Sequence, residues 1–105
     1  METIPNSAGA VLIELTISLG VLCEVAGEPQ IGSTLTWRYT ATDRLLALGA
    51  ARAWPATQMS EPLDLETFTA RAAEQASAVL GVAVETIGHY ILKGGTVLRC
   101  HARSS

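Results

Sequence analysis

The stretch that decides the fold is Val82-Ala83-Val84-Glu85-Thr86-Ile87-Gly88-His89-Tyr90-Ile91-Leu92-Lys93-Gly94-Gly95-Thr96-Val97-Leu98-Arg99-Cys100-His101-Ala102. It is rich in β-branched residues, and Gly88 interrupts it; both features disfavour a helix. Gly94-Gly95 is a natural two-residue hairpin turn. Around such a turn Lys93 would face Thr96, Ile91 would face Leu98, His89 would face Cys100 and Ile87 would face Ala102. One face of that hairpin is nearly all apolar, which suits packing against the rest of the chain.

Working outward, the N-terminal part carries the same period of two. Val11, Ile13, Leu15, Ile17, Leu19, Val21, Cys23 and Val25 hold the odd positions, with Glu14, Thr16, Ser18 and Glu24 among the even ones. After the break Gly27–Gly32, the alternation returns as Leu35, Trp37, Tyr39 and Ala41 against Thr34, Thr36, Arg38, Thr40 and Thr42. Two alternating runs about a Gly/Pro break predict a hairpin, with Gly20 as a bend in a long first strand. Thr42 and Asp43 are N-cap types before Arg44–Trp54, a short helix stopped at Pro55. Asp64 caps a second helix whose Leu65, Phe68, Ala72, Ala76, Val79 and Leu80 recur at helical spacing up to Gly81. The expectation is one α+β domain over residues 1–105, in the order ββααββ: a small antiparallel sheet of two hairpins with two helices on one face.

The chain has 105 residues, enough for one core without metal or disulfide support. Its apolar fraction is 49% and its charged fraction 16%, so apolar surface is left for a partner to cover. The formal charge of -3 divides as -3 over residues 1–42, -2 over 43–80 and +2 over 81–105, which leaves only the C-terminal quarter suited to an anion. Cys23 and Cys100 fit no metal or redox spacing and read as reduced thiols of a cytoplasmic protein, a disulfide being the lesser alternative. The first nine residues hold no Lys or Arg, so a secretory start is not expected.

Three local patterns bear on function. Ala76-Ser77-Ala78-Val79-Leu80-Gly81-Val82-Ala83-Val84-Glu85-Thr86-Ile87-Gly88-His89-Tyr90 resembles the helix, glycine turn and recognition helix of MerR-type helix-turn-helix regulators. That resemblance implies DNA binding with Lys93, Arg99 and Arg103, beside His101, on phosphates. It departs from the family at Gly88 and His89, where an arginine and an aromatic are usual. Gly9-Ala10-Val11-Leu12-Ile13-Glu14-Leu15 resembles the cleavage site of type IV pilin-like envelope subunits, with Gly9 before the cut and Glu14 in the mature helix. The apolar run that follows is shorter than the roughly 20 residues a membrane helix needs. Last, the expected hairpin would set His89 beside Cys100, a pairing able to activate a thiolate.

None of these supplies a complete catalytic constellation, a metal site or a cofactor loop, so no catalytic residue, metal or cofactor is expected. The favoured reading is a non-enzymatic protein-interaction module of the cytoplasm: an accessory subunit, inhibitor or regulator whose partner is another protein or a second copy, with no membrane. Nucleic acid ranks behind, as a helix-turn-helix regulator, and an envelope subunit third. Trp37, Tyr39 and Trp54 are the candidate partner-binding residues, although the alternation also suits Trp37 and Tyr39 to the core. For self-association the expected edges are Leu35–Thr42 and Thr96–Ala102, joined about a two-fold axis in a homodimer of about 22 kDa, twice the 11.0 kDa chain.

Overall fold

A computed structural model describes residues 1–20, 29–58 and 64–105. The order is β1 (Thr3–Pro5), β2 (Val11–Ser18), β3 (Thr34–Ala41), β4 (Arg44–Leu46), α1 (Leu48–Thr57), α2 (Leu65–Leu80), β5 (Val84–Ile91) and β6 (Val97–Ser104). The fold is α+β, with the ββααββ order plus two short strands. One antiparallel sheet has the order β2-β3-β5-β6, and β1 pairs with β4 in a small second sheet. The two hairpins meet at β3 and β5, where Leu35 lies opposite Gly88 and Trp37 opposite Thr86. The strand Leu35–Thr42 is therefore central and paired on both sides; it cannot be the edge that self-association was expected to use.

In β2 and β3 the alternation reads directly as structure. Val11 pairs with Ala41, Ile13 with Tyr39, Leu15 with Trp37 and Ile17 with Leu35, all on the face that carries the helices. Described β2 structure ends at Ser18, and a backbone bond from Leu19 N to Ser33 O closes that end. The longer first strand expected to run to Val25, and Cys23 with its disulfide alternative, fall outside the described residues.

Arg44–Leu46 corrects the first expected helix. These residues have helical propensity, but here they pair with Thr3–Pro5, and Arg44 also donates from Nε to Thr3 Oγ1 and from Nη2 to Thr3 O, both at 2.9 Å. Tertiary pairing overrides local preference. The helix begins only at Leu48 and runs through Pro55, whose ring nitrogen has no proton to donate to Ala51. Trp54 and Pro55 are both buried.

The second helix follows its sequence signals. Asp64 Oδ1 accepts from Thr67 N at 2.6 Å, and Gly81 ends the helix at φ 71°, the left-handed region that glycine enters without a Cβ clash. The cap bond holds the Asp64 carboxyl below its ordinary 3.8, so its contribution is present above that value and is lost as pH falls through the lower, folded one. We expect Asp64→Ala to lower the thermal midpoint at neutral pH and to lose less on acidification than the wild type does. A parallel acid dependence in both proteins would contradict the cap's role.

Phe68, Ala72, Ala76 and Leu80 are buried against the sheet, whereas Leu65 is half-buried and Val79, at 37% exposure, lies on the outer flank rather than in the expected core stripe. Trp37, Trp54, Phe68 and Tyr90 stack in sequence at centroid separations of 6.0, 4.9 and 6.3 Å, linking β3, α1, α2 and β5.

Residues 84–91 are strand β5, so the recognition helix implied by the helix-turn-helix resemblance is not formed. The β5–β6 register differs by one residue from the expected one: Ile91 pairs with Val97, Tyr90 with Leu98, His89 with Arg99, Gly88 with Cys100 and Ile87 with His101. The reason is the turn. Leu92 N bonds Thr96 O and Gly95 N bonds Leu92 O, enclosing three residues rather than two, with Gly94 and Gly95 both at φ 82°. A one-residue slip exchanges the faces of a strand. Val84, Thr86, Gly88 and Tyr90 consequently face α2, and Ile87, His89 and Ile91 face the other side.

Under α2, Tyr90 Oη and Thr69 Oγ1 share a 2.6 Å hydrogen bond, and Thr86 Oγ1 donates to Thr69 O at 2.7 Å. Burial pushes the Tyr90 phenol up to about 12, against the ordinary 10.0. An unfolded phenol ionises first, so the Tyr90 contribution is complete below pH 10.0 and is lost as pH rises to about 12. Burial raises Tyr39 too. Replacing Tyr90 by Phe should make the alkaline loss of stability shallower in chemical melts; an unchanged slope would exclude Tyr90 as its source.

Candidate functional site: the open face and edges of the sheet

The face turned away from the helices carries Leu12, Glu14, Thr16 and Ser18 of β2, Thr34, Thr36, Arg38 and Thr40 of β3, Glu85, Ile87, His89 and Ile91 of β5, and Val97, Arg99, His101 and Arg103 of β6. Register aligns these into rows. Glu14, Arg38, Glu85 and Arg103 stand directly opposite one another across all four strands, with charges alternating in sign. The next row is Thr16, Thr36, Ile87 and His101, and the next Ser18, Thr34, His89 and Arg99. Arg38 Nε lies 3.3 Å from Glu14 Oε1 with both side chains about half exposed, and Thr16 and Thr36 share a 2.8 Å hydroxyl bond. In water such a pair contributes at most about 1 kcal/mol, so its larger effect is on register and partner choice.

The outer strands have backbone groups turned to solvent, and hydrogen-bond phase identifies them. Directly opposed antiparallel residues alternate between bonded and non-bonded pairs. Since Leu19 N bonds Ser33 O, the odd residues of β2 bond to β3 and the even ones, Leu12, Glu14, Thr16 and Ser18, direct N–H and C=O outward. Since Leu92 N bonds Thr96 O, the even residues of β6 bond to β5 and Val97, Arg99, His101 and Arg103 direct theirs outward. All eight of these residues are exposed. Among the described residues no strand pairs with either edge. The β6 edge is basic. The β2 edge has Glu14 as its one charge and is backed by half-buried Val11, Ile13 and Leu15 on the helix side, because α2 lies over β5, β6 and part of β3.

The partner-binding candidates Trp37, Tyr39 and Trp54 are corrected to core positions, at 0%, 3% and 2% exposure. Each polar atom is used internally: Trp37 Nε1 donates to Ala72 O at 3.1 Å, Tyr39 Oη accepts from Leu46 N at 3.0 Å, and Trp54 Nε1 donates to Gln75 Oε1 at 2.8 Å. Of the cations considered for nucleic acid, Arg99 and Arg103 do share the β6 side of the open face, while Lys93 sits in the turn beyond it. Among the described residues no Phe, Tyr or Trp accompanies them on that face.

The His89–Cys100 pairing is overturned by the same register correction. His89 lies on the open face opposite Arg99, and Cys100 lies on the helix face opposite Gly88. Burial raises the Cys100 thiol, the reverse of what a nucleophile requires. Among the described residues no three His, Cys, Asp or Glu side chains are grouped to hold a metal, and every buried side-chain nitrogen or oxygen has a partner. Nor is any helix among them long and apolar enough to cross a membrane; the stretch compared with a pilin helix is strand β2. Compared with known proteins, the chain matches no family model and no curated sequence.

The C-terminal strand expected as an edge, Thr96–Ala102, does lie in the outer strand β6, whereas β2 escaped the sequence reading because its place outside β3 follows from strand order. On β6 the signal was present as the alternation Arg99, His101, Arg103, but only the register shows that these residues carry the outward backbone groups.

Proposed function

We propose that this chain is a non-enzymatic, cytoplasmic protein-interaction module, an accessory subunit, inhibitor or regulator that engages a protein through the edges of its sheet. The observation that carries the reading is the pair of eight-residue outer strands, β2 and β6, each with a full row of outward backbone donors and acceptors. Unsatisfied sheet edges are templates for strand addition, where backbone bonds supply affinity and alternate side chains supply specificity. The aromatic groups serve the interior, and no described cluster offers chemistry that competes with this use.

Photo-cross-linking in the native host tests it. A photoreactive residue replacing Thr16 on β2 or Arg99 on β6 should capture protein, whereas one replacing Glu66, exposed on α2, should not. Absence of any adduct from both edges, with the protein folded and expressed, would refute the reading.

A further inference from the structure

We propose that the β6 edge of one chain receives the β2 edge of a second copy, head to tail, so that the sheet continues from molecule to molecule. This rests on the reading of the chain as an interaction module and names the partner at that edge. Three independent constraints converge on it. The first is direction: β2, β3, β5 and β6 are successively antiparallel, so β2 and β6 run oppositely and a translated copy presents its β2 antiparallel to β6. The second is phase. Outward backbone groups belong to Arg99, His101 and Arg103 on β6 and to Glu14, Thr16 and Ser18 on β2, and in both sets the side chains stand on the open face. Bonding the two sets therefore preserves both faces of the sheet.

The third constraint is charge. Pairing two β6 edges antiparallel and in phase about His101 puts Arg99 opposite Arg103, and shifting by one step puts Arg99 opposite His101; with no Asp or Glu on this edge, no such register gives either arginine an opposite charge. Pairing two β2 edges leaves Glu14 opposite itself, Leu12, Thr16 or Ser18, with no cation across from it. Between β6 and β2 of a second copy, Arg103 faces Glu14, His101 faces Thr16 and Arg99 faces Ser18. The row Glu14, Arg38, Glu85, Arg103 then meets the next Glu14 and alternates without a break. On the helix side Ser104, Ala102 and Cys100 would lie beside Ile13, Leu15 and Ile17, covering part of the apolar row that one chain leaves half exposed.

A head-to-tail contact of this kind does not close, so it builds chains of copies. The weight-average mass in sedimentation should rise continuously with concentration past about 22 kDa, twice the 11.0 kDa chain, and fall with added salt. Glu14→Lys and Arg103→Glu should each weaken association about tenfold or more by opposing like charges. Mixed together they should regain association past about 22 kDa as an alternating chain, since the two reversed edges match each other and the two unchanged edges keep the Arg103–Glu14 pair. Arg52→Glu, on the exposed side of α1, should associate like the wild type.

If either reversal unfolds, His101→Pro serves in its place, because it deletes an outward N–H and leaves the bonds to β5 intact. A wild-type chain that stays monomeric at every concentration overturns the proposal. So does a dimer that plateaus at twice the chain mass and ignores Arg103→Glu. Either result, combined with adducts to a different protein from the same edges in the host, removes the self-pairing and leaves the interaction reading standing; no adducts at all removes both.

Discussion

Truncating Phe68 to Ala should destabilise the fold by about 3–5 kcal/mol, the usual range for removing a fully buried aromatic ring. Phe68 is 3% exposed and sits between Trp54, 4.9 Å away, and Tyr90, 6.3 Å away. Its loss opens a cavity where α1, α2 and β5 meet, and it leaves two aromatic neighbours without ring contacts that contribute about 0.5–1.5 kcal/mol per pair. A domain of this size is stable by roughly 5–15 kcal/mol, so the variant should lose a large share of that margin. Urea melts measure this directly, with the midpoint falling while the slope stays constant. Val79→Ala, on the outer flank of the same helix, should change stability by less than about 0.5 kcal/mol. A cost below about 1 kcal/mol at Phe68 would mean that the aromatic chain is not what joins helices to sheet.

The same helix shows what a sequence can reveal. Asp64, Phe68, Ala72, Ala76, Leu80 and Gly81 carry local signals, cap, stripe and stop, that need no knowledge of the rest of the chain. The strands of the first hairpin were legible for a similar reason, since Leu35, Trp37 and Tyr39 are apolar and their even neighbours are polar or charged. Arg44–Leu46 was not legible: its partner is Thr3–Pro5, forty residues away, and local propensity points to a helix. The faces of β5 were not legible either. Val84 and Tyr90 compete with Ile87 and Ile91, so both faces look apolar, and the choice depends on whether the glycine turn encloses two residues or three.

The interaction edges depend on still more distant information. Arg103 and Glu14 occupy one row only because β3 pairs with β5 in the middle of the sheet, a join made across both helices. Charge sums by segment located the basic quarter of the chain but not its alignment with an acidic edge. What the fold adds is the phase of the outward hydrogen-bonding groups, which turns Arg99 and Arg103 from part of a diffuse basic tail into one side of a strand-pairing surface.

Placing a single methyl at Gly88 should be nearly as damaging as removing the Phe68 ring. Gly88 faces α2 between Leu35 and Cys100, and the Tyr90 ring lies across it, so that a Cβ there would overlap Tyr90 Cε2, Cζ and Oη. The ring has no easy retreat: Tyr90 is 0% exposed, its hydroxyl is bonded to Thr69, and the Phe68 ring packs against it at 6.3 Å. Overpacking of a filled core costs about 1–3 kcal/mol, and here the displaced ring also gives up a buried hydrogen bond of roughly 1 kcal/mol. We expect Gly88→Ala to lose about 3 kcal/mol in denaturant melts, at the upper end of that range. The cause can be isolated with a double-mutant cycle. In a Tyr90→Val background the ring is gone and the added methyl has room, so the further cost of Gly88→Ala should drop below about 1 kcal/mol. In a Tyr90→Phe background the ring remains and the cost should persist with only the hydroxyl's share removed. Equal costs in the two backgrounds would show that the glycine is required by the backbone of β5 rather than by the tyrosine that covers it.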